Sequence, residues 1–144
     1  MLRLLVAVAM TLSCVTAHAQ LDPPGPFHIA HLHGVYVNAK GDPISGAEVT
    51  LQQNDKIMFT TRTDRTGHFA FKHVSGRFSL RANIKGYSPL DREVIVGLEA
   101  LTYLYSETLY VIAGPGACSD DCSSVFTSRD KFDKAIQRNK EHQY

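Results

Sequence analysis

Phe78, Leu80, Ala82 and Ile84 alternate with Ser79, Arg81 and Asn83 in the run SGRFSLRANI. A helix would scatter those four apolar side chains around its axis, whereas a strand gathers them on one face. The same period of two returns in AEVTLQQ, with Ala47, Val49 and Leu51 on one side and Glu48, Thr50 and Gln52 on the other. Half-buried strands of this kind need a partner layer, so the repeated pattern constrains the chain to an all-β packing. From Leu32 onward the segments HLHGVYVNA, AEVTLQQ, NDKIMFTTRT, HFAFKH, SGRFSLRANI, REVIVG and LTYLYSETLYVIA give about seven strands, separated by turns such as Gly41-Asp42-Pro43 and Asn54-Asp55. Seven short strands at this spacing favour a sandwich over an open sheet.

Both ends of the chain depart from that pattern. Residues 1–19 read as a signal peptide: Arg3, an apolar run from Leu4 to Leu12, then Ala17-His18-Ala19 as the cleavage site. Cleavage after Ala17, or at a lipoprotein site before Cys14, are the alternatives. The apolar run is shorter than the roughly 20 residues that span a bilayer, so no transmembrane segment is expected in the mature protein. Residues 20–31 follow as an extended lead-in rich in proline, and 32–113 as the sandwich. Residues 114–144 are expected to hold a disulfide loop and a short C-terminal helix from about Ser128 to Asn139, with Phe132, Ala135 and Ile136 as its apolar stripe. Thr127 or Ser128 is placed to cap it, and Asp130 suits its first turn.

Cleavage removes Cys14 and leaves Cys118 and Cys122, which in an oxidising compartment are expected to pair. It also removes Arg3, so 14 of the 15 Lys and Arg remain against 14 Asp and Glu. That balance gives no reason to expect nucleic acid as a partner. An exported location, periplasmic or secreted, follows from the leader and the cysteines together.

The residues Gly34, Gly41-Asp42-Pro43-Ile44, Gly46-Ala47, Thr63-Asp64, Gly67, Phe69, Gly76, Phe78 and Gly86-Tyr87 stand in an order that resembles the carboxypeptidase regulatory-like domain, a Greek-key, transthyretin-like β-sandwich. The resemblance runs from about Leu32 to Val96. It implies a non-catalytic module that accompanies other proteins as a folding or docking accessory. The disulfide loop and helix lie outside it.

Two enzyme families with a similar sandwich provide tests. Hydroxyisourate hydrolases of transthyretin type end in Tyr-Arg-Gly-Ser, and this chain ends NKEHQY. Intradiol ring-cleaving dioxygenases carry an Arg-x-x-His-x-His segment where this chain reads RANIKGYSPLDREV. Neither the Gly-x-Ser-x-Gly elbow nor a phosphate-binding glycine loop is present, and the protein is expected not to be an enzyme. Asp120-Asp121 reads as a solvated acidic tip before it reads as a calcium site, and Tyr103, Tyr105 and Tyr110 offer a surface for a glycan.

One cluster remains, the histidines of FHIAHLHGVYV. The register of the resemblance turns Leu32, Gly34 and Tyr36 inward, hence His31, His33, Val35 and Val37 outward, while His28 has the opposite parity. His31 and His33, about 7 Å apart on a strand, would hold copper or zinc if a third ligand arrived. Imidazoles there would also make the face responsive to acidification. The main expectation is an exported, non-enzymatic interaction module without a cofactor, which meets another envelope or secreted protein through His31, His33, Val35 and Val37, or through the loop and helix.

Overall fold

The computed structural model describes residues 25–97 and 108–142. The expected leader, Tyr103 and Tyr105 lie outside the described residues. Strands β1 (Phe27–Ile29), β2 (His33–Val37), β3 (Glu48–Gln53), β4 (Lys56–Arg62), β5 (His68–Ala70), β6 (Gly76–Ala82), β7 (Leu90–Val96), β8 (Thr108–Ile112) and β9 (Ser124–Phe126) are followed by helix α1 (Arg129–Glu141). They form a five-stranded sheet in the order β1-β7-β6-β3-β4 and a four-stranded sheet in the order β5-β2-β8-β9. The all-β sandwich with one short helix is therefore present, with nine described strands where the sequence suggested about seven.

The two additional strands lie where no alternation marks them. β1 grows out of the proline-rich lead-in and pairs in parallel with β7, Phe27 opposite Val94 and Ile29 opposite Val96. Ile29 is fully buried, so the lead-in contributes a core side chain and covers an edge of the larger sheet. β9 emerges just after the disulfide loop and pairs with β8, Val125 opposite Val111.

The alternation places the core as the pattern predicts. Val49, Leu51, Leu80 and Ala82 from the larger sheet meet Leu32, Tyr36, Phe69, Leu109 and Val111 from the smaller one. Burial pushes the Tyr36 phenol up to about 12, with the Ser123 hydroxyl nearby pulling the other way. β3 and β4 are joined by Asn54 and Asp55 at φ 52° and 59°. Two left-handed residues in succession make the hairpin turn whose twist matches its strands, and Asn and Asp tolerate that region best. Gly34 permits the closest approach in the core: a Cβ there would collide with the Leu109 carbonyl and come within 2.6 Å of the Phe69 ring.

The helix makes a third layer. Phe132, Ala135 and Ile136 bury against Val37 and Ile112 on the outer face of the smaller sheet, with Val35, Tyr110 and Phe126 packed around them. This changes the expected outward strip: Val37 is 4% exposed and Val35 half-buried, because α1 lies over them. Ser128 occupies the cap position without a side-chain hydrogen bond to the helix. Exposed pairs of Arg129 with Asp133 (3.1 Å) and Lys134 with Asp130 (2.8 Å) run along the solvent side.

The Cys118–Cys122 disulfide is formed, and the loop it closes is fastened to the larger sheet. Asp121 is no solvated tip. Its carboxylate accepts the Asp91 amide at 2.7 Å and the Ser123 amide at 3.0 Å and pairs with the Arg92 guanidinium, which also donates to the Ser123 carbonyl at 2.8 Å. Only 20% of the Arg92 side chain and 11% of the Asp121 side chain are exposed. The sequence could not show this, because Arg92 stands 29 residues before its partner.

Candidate functional site

β4 is the last strand of the five-stranded sheet and β5 the last of the four-stranded one, and the chain passes directly from one to the other through residues 63–67. The turn is built by Asp64, whose carboxylate accepts the Thr66 amide at 2.8 Å, the Thr66 hydroxyl at 2.7 Å and the His68 amide at 3.1 Å. The Thr66 hydroxyl and amide hold the Asp64 carboxyl below the usual carboxylate range. Thr63 secures the other side: its hydroxyl donates to the Ile44 carbonyl at 2.7 Å and accepts the Ala47 amide at 2.9 Å. Both sheet edges are thereby fixed next to each other.

Between them opens a groove of about 1080 Å³, bounded by Thr61 and Arg62 on the β4 side and by His68 to Ala70 on the other. Leu32, Phe69, Phe71 and Val74 supply its apolar surface. Phe69 is buried and packs edge-on against the half-buried Phe71 at 6.4 Å, so the inner wall is a fixed aromatic pair. Around it stand four imidazoles, His31, His33, His68 and His73, with Lys72 and Asp64.

Strand register explains two of the four. His33 lies opposite Ala70 and Val35 opposite His68, which puts His33 and His68 on one face in a diagonal pair. Ordinary sheet geometry gives such a pair a separation of about 7 Å. The His68 tautomer follows from its neighbours. Thr66 gives its only hydroxyl proton to the Asp64 carboxylate, so its oxygen accepts from Nδ1 of His68, 3.0 Å away. Nε2 of a neutral His68 then has a free lone pair. His73 reaches the rim from a left-handed turn residue, φ 56°, and His31 from the exposed bend before β2.

Of the residues expected to act together, His31 and His33 share this groove, while Val35 and Val37 line a separate recess toward α1 with His33 and His68. His28 sits apart on β1. Tyr110 packs on Phe132 at 5.1 Å with the Arg129 guanidinium 5.8 Å over its ring, beneath the helix instead of on an open sheet. His68 and His73 did not stand out in the sequence. The signal available was that HFAFKH, like HIAHLH, is a strand segment bracketed by histidines; pairing β2 with β5 brings the two together. Among the described residues, no three His, Cys, Asp or Glu side chains gather closely enough to hold a metal ion.

A two-sheet sandwich with a groove between adjoining edges defines the class of the protein as a β-sandwich domain. The carboxypeptidase regulatory-like domain family matches residues 31–103, just over half of the chain, and the protein belongs to that family. No curated protein matches the sequence. Among solved structures, the 5-hydroxyisourate hydrolase of Klebsiella pneumoniae is similar, with a TM-score of 0.49 and 16% identity over 69% of this chain and 99% of that one.

Proposed function

We propose that this protein is an exported, non-enzymatic binding module, and that the groove between β4 and β5 holds a segment of another envelope or secreted protein. One observation carries the reading: two histidine-bracketed segments distant in sequence converge on a groove whose wall is apolar and aromatic. Apolar surface with a few polar groups at its rim is the usual make-up of a binding site. The Cys118–Cys122 disulfide agrees with an oxidising compartment, and no described helix is long and apolar enough to cross a membrane.

A photo-crosslinking residue at Ala70, exposed on β5 and lining the groove, is expected to give a discrete adduct with an envelope protein. Adding Phe71→Glu should suppress that adduct, and the same crosslinker at Lys131 on the exposed face of α1 should not form it. Equal adducts from both positions, or none from Ala70, would count against the groove. The competing reading is a copper or zinc site on His31 and His33, which stand at the same groove. Calorimetric titration with each metal separates the two: a 1:1 site lost in His33→Ala supports the metal reading, and equally weak binding by both proteins ends it.

A further inference from the structure

β4 is a seven-residue strand bonded on one side only, to β3. Ile57, Met58 and Phe59 on it are 55%, 45% and 38% exposed, and they are the large hydrophobic residues left exposed among the described residues. Edge strands are ordinarily short, charged or covered, because an open row of amides and carbonyls recruits a further strand. The opposite edge of this sheet is covered by β1. The β4 edge instead presents three consecutive apolar side chains, with Met58 as the extra residue of a bulge where Leu51 faces Phe59 and Gln52 faces Ile57. Phe59 is held from beneath by Phe78, ring centroids 5.9 Å apart at 81°, so the strand is backed by core.

From these features, and resting on the proposed groove, we propose that the β4 edge accepts an extended acidic segment of the partner protein as an added strand, which then continues into the groove. The continuity is direct: Thr61 and Arg62 end β4 and line the groove. The charges select the occupant. Lys56 begins the strand and Lys72 stands at the groove, and among the described residues neither forms an ion pair. The groove's carboxylate, Asp64, is already engaged by Thr66 and the His68 amide, and Arg62 holds Glu48 at 2.8 Å. Lys56 ahead of the apolar run, with Asp55 beside it in the turn, and Lys72 at the groove beyond it match a segment that alternates apolar and acidic residues. A second copy of the chain offers Lys56 no carboxylate from its own β4, since two-fold antiparallel pairing centred on Phe59 sets Lys56 opposite Arg62 of the other copy. Main-chain bonds would supply affinity and alternate side chains specificity, as in strand addition generally.

The probe is a fluorescein-labelled nonapeptide of alternating Val and Glu, followed by anisotropy with the full chain. Two control peptides replace Glu by Lys or carry N-methyl groups on the three central residues, which removes their amide donors. The expected result is binding of the Val/Glu peptide, at least tenfold weaker for each control and for Ile57→Asn, and weaker for Lys72→Glu. Circular dichroism of each variant checks that the fold is retained. Equal binding of the N-methylated peptide overturns strand addition, and so does failure of the Val/Glu peptide to bind. A concentration-dependent dimer abolished by Ile57→Asn also overturns it, by naming a second copy as the occupant. Loss of peptide binding with the Ala70 adduct retained means that the groove stands and the added strand does not.

Discussion

Replacing Asp121 by Ala removes the acceptor that joins the disulfide loop to β7. Three donors lose this acceptor at once: the amides of Asp91 and Ser123 and the Arg92 guanidinium, which keeps the Ser123 carbonyl but no counter-charge. Breaking a buried ion pair by deleting one partner costs about 3–5 kcal/mol, because the other charge is left desolvated. With the side chains 20% and 11% exposed, water reaches Arg92 in part, so the lower end, about 3 kcal/mol, is the appropriate figure. At a urea dependence of roughly 2 kcal/mol/M this moves the unfolding midpoint down by about 1.5 M. Asp120→Ala, an exposed neighbour inside the same ring, should stay within ~0.5 kcal/mol of wild type. A midpoint for Asp121→Ala indistinguishable from that of Asp120→Ala would refute the anchoring argument. A double-mutant cycle with Arg92→Met then measures the pair itself, and coupling near zero would assign the loss to the amides alone.

Gly34→Ala should fail to fold or lose well over ~1–3 kcal/mol, the usual cost of overpacking, because both the Leu109 backbone and the Phe69 ring would have to move; thermal melting checks it. Ile136→Ala should cost about 2–5 kcal/mol if α1 is docked as described, and hydrogen exchange should show faster exchange in β8 and β9, while unchanged exchange would mean that the helix does not cover them. Replacing both Cys118 and Cys122 by Ser should lower stability by about 2 kcal/mol or less, since so small a ring restricts little unfolded chain, and a larger loss in urea would show that the bridge also holds Asp121 in place. Asp64→Ala should destabilise the β4–β5 turn: the depressed carboxyl contributes stability above its unfolded pKa that is lost as pH falls through the folded one, so wild type and variant should converge in melts carried out in strong acid.

The core was legible because burial and sequence period coincide in β6, and Val49 and Leu51 of β3 follow the same rule, with Thr50 between them buried against it. The helix stripe was equally readable in Phe132, Ala135 and Ile136. What the stripe covers was not, since nothing local to Val35 and Val37 distinguishes a face open to solvent from one beneath a helix almost 100 residues later. A separation of 29 residues likewise hid the Arg92 and Asp121 pair. β1 and β9 were not legible because one emerges from a proline-rich lead-in and the other from the disulfide loop, and they form by completing ladders that others begin. For the site, His31 and His33 were visible as a cluster, but their neighbours His68 and His73 belong to it only through the pairing of β2 with β5. β4 shows the opposite case. Its residues read as an ordinary strand in KIMFTTR, and only the sheet order reveals that Ile57, Met58 and Phe59 lie on an edge.

The central claim, that a partner segment sits between the edges of β4 and β5, is tested most directly by hydrogen exchange of the protein alone and in complex with the partner captured through Ala70. The account predicts slowed exchange over 56–62 and 68–73 and at His31 to His33, with the amides of α1 unchanged. Protection confined to α1 or to the Cys118–Cys122 loop would contradict it.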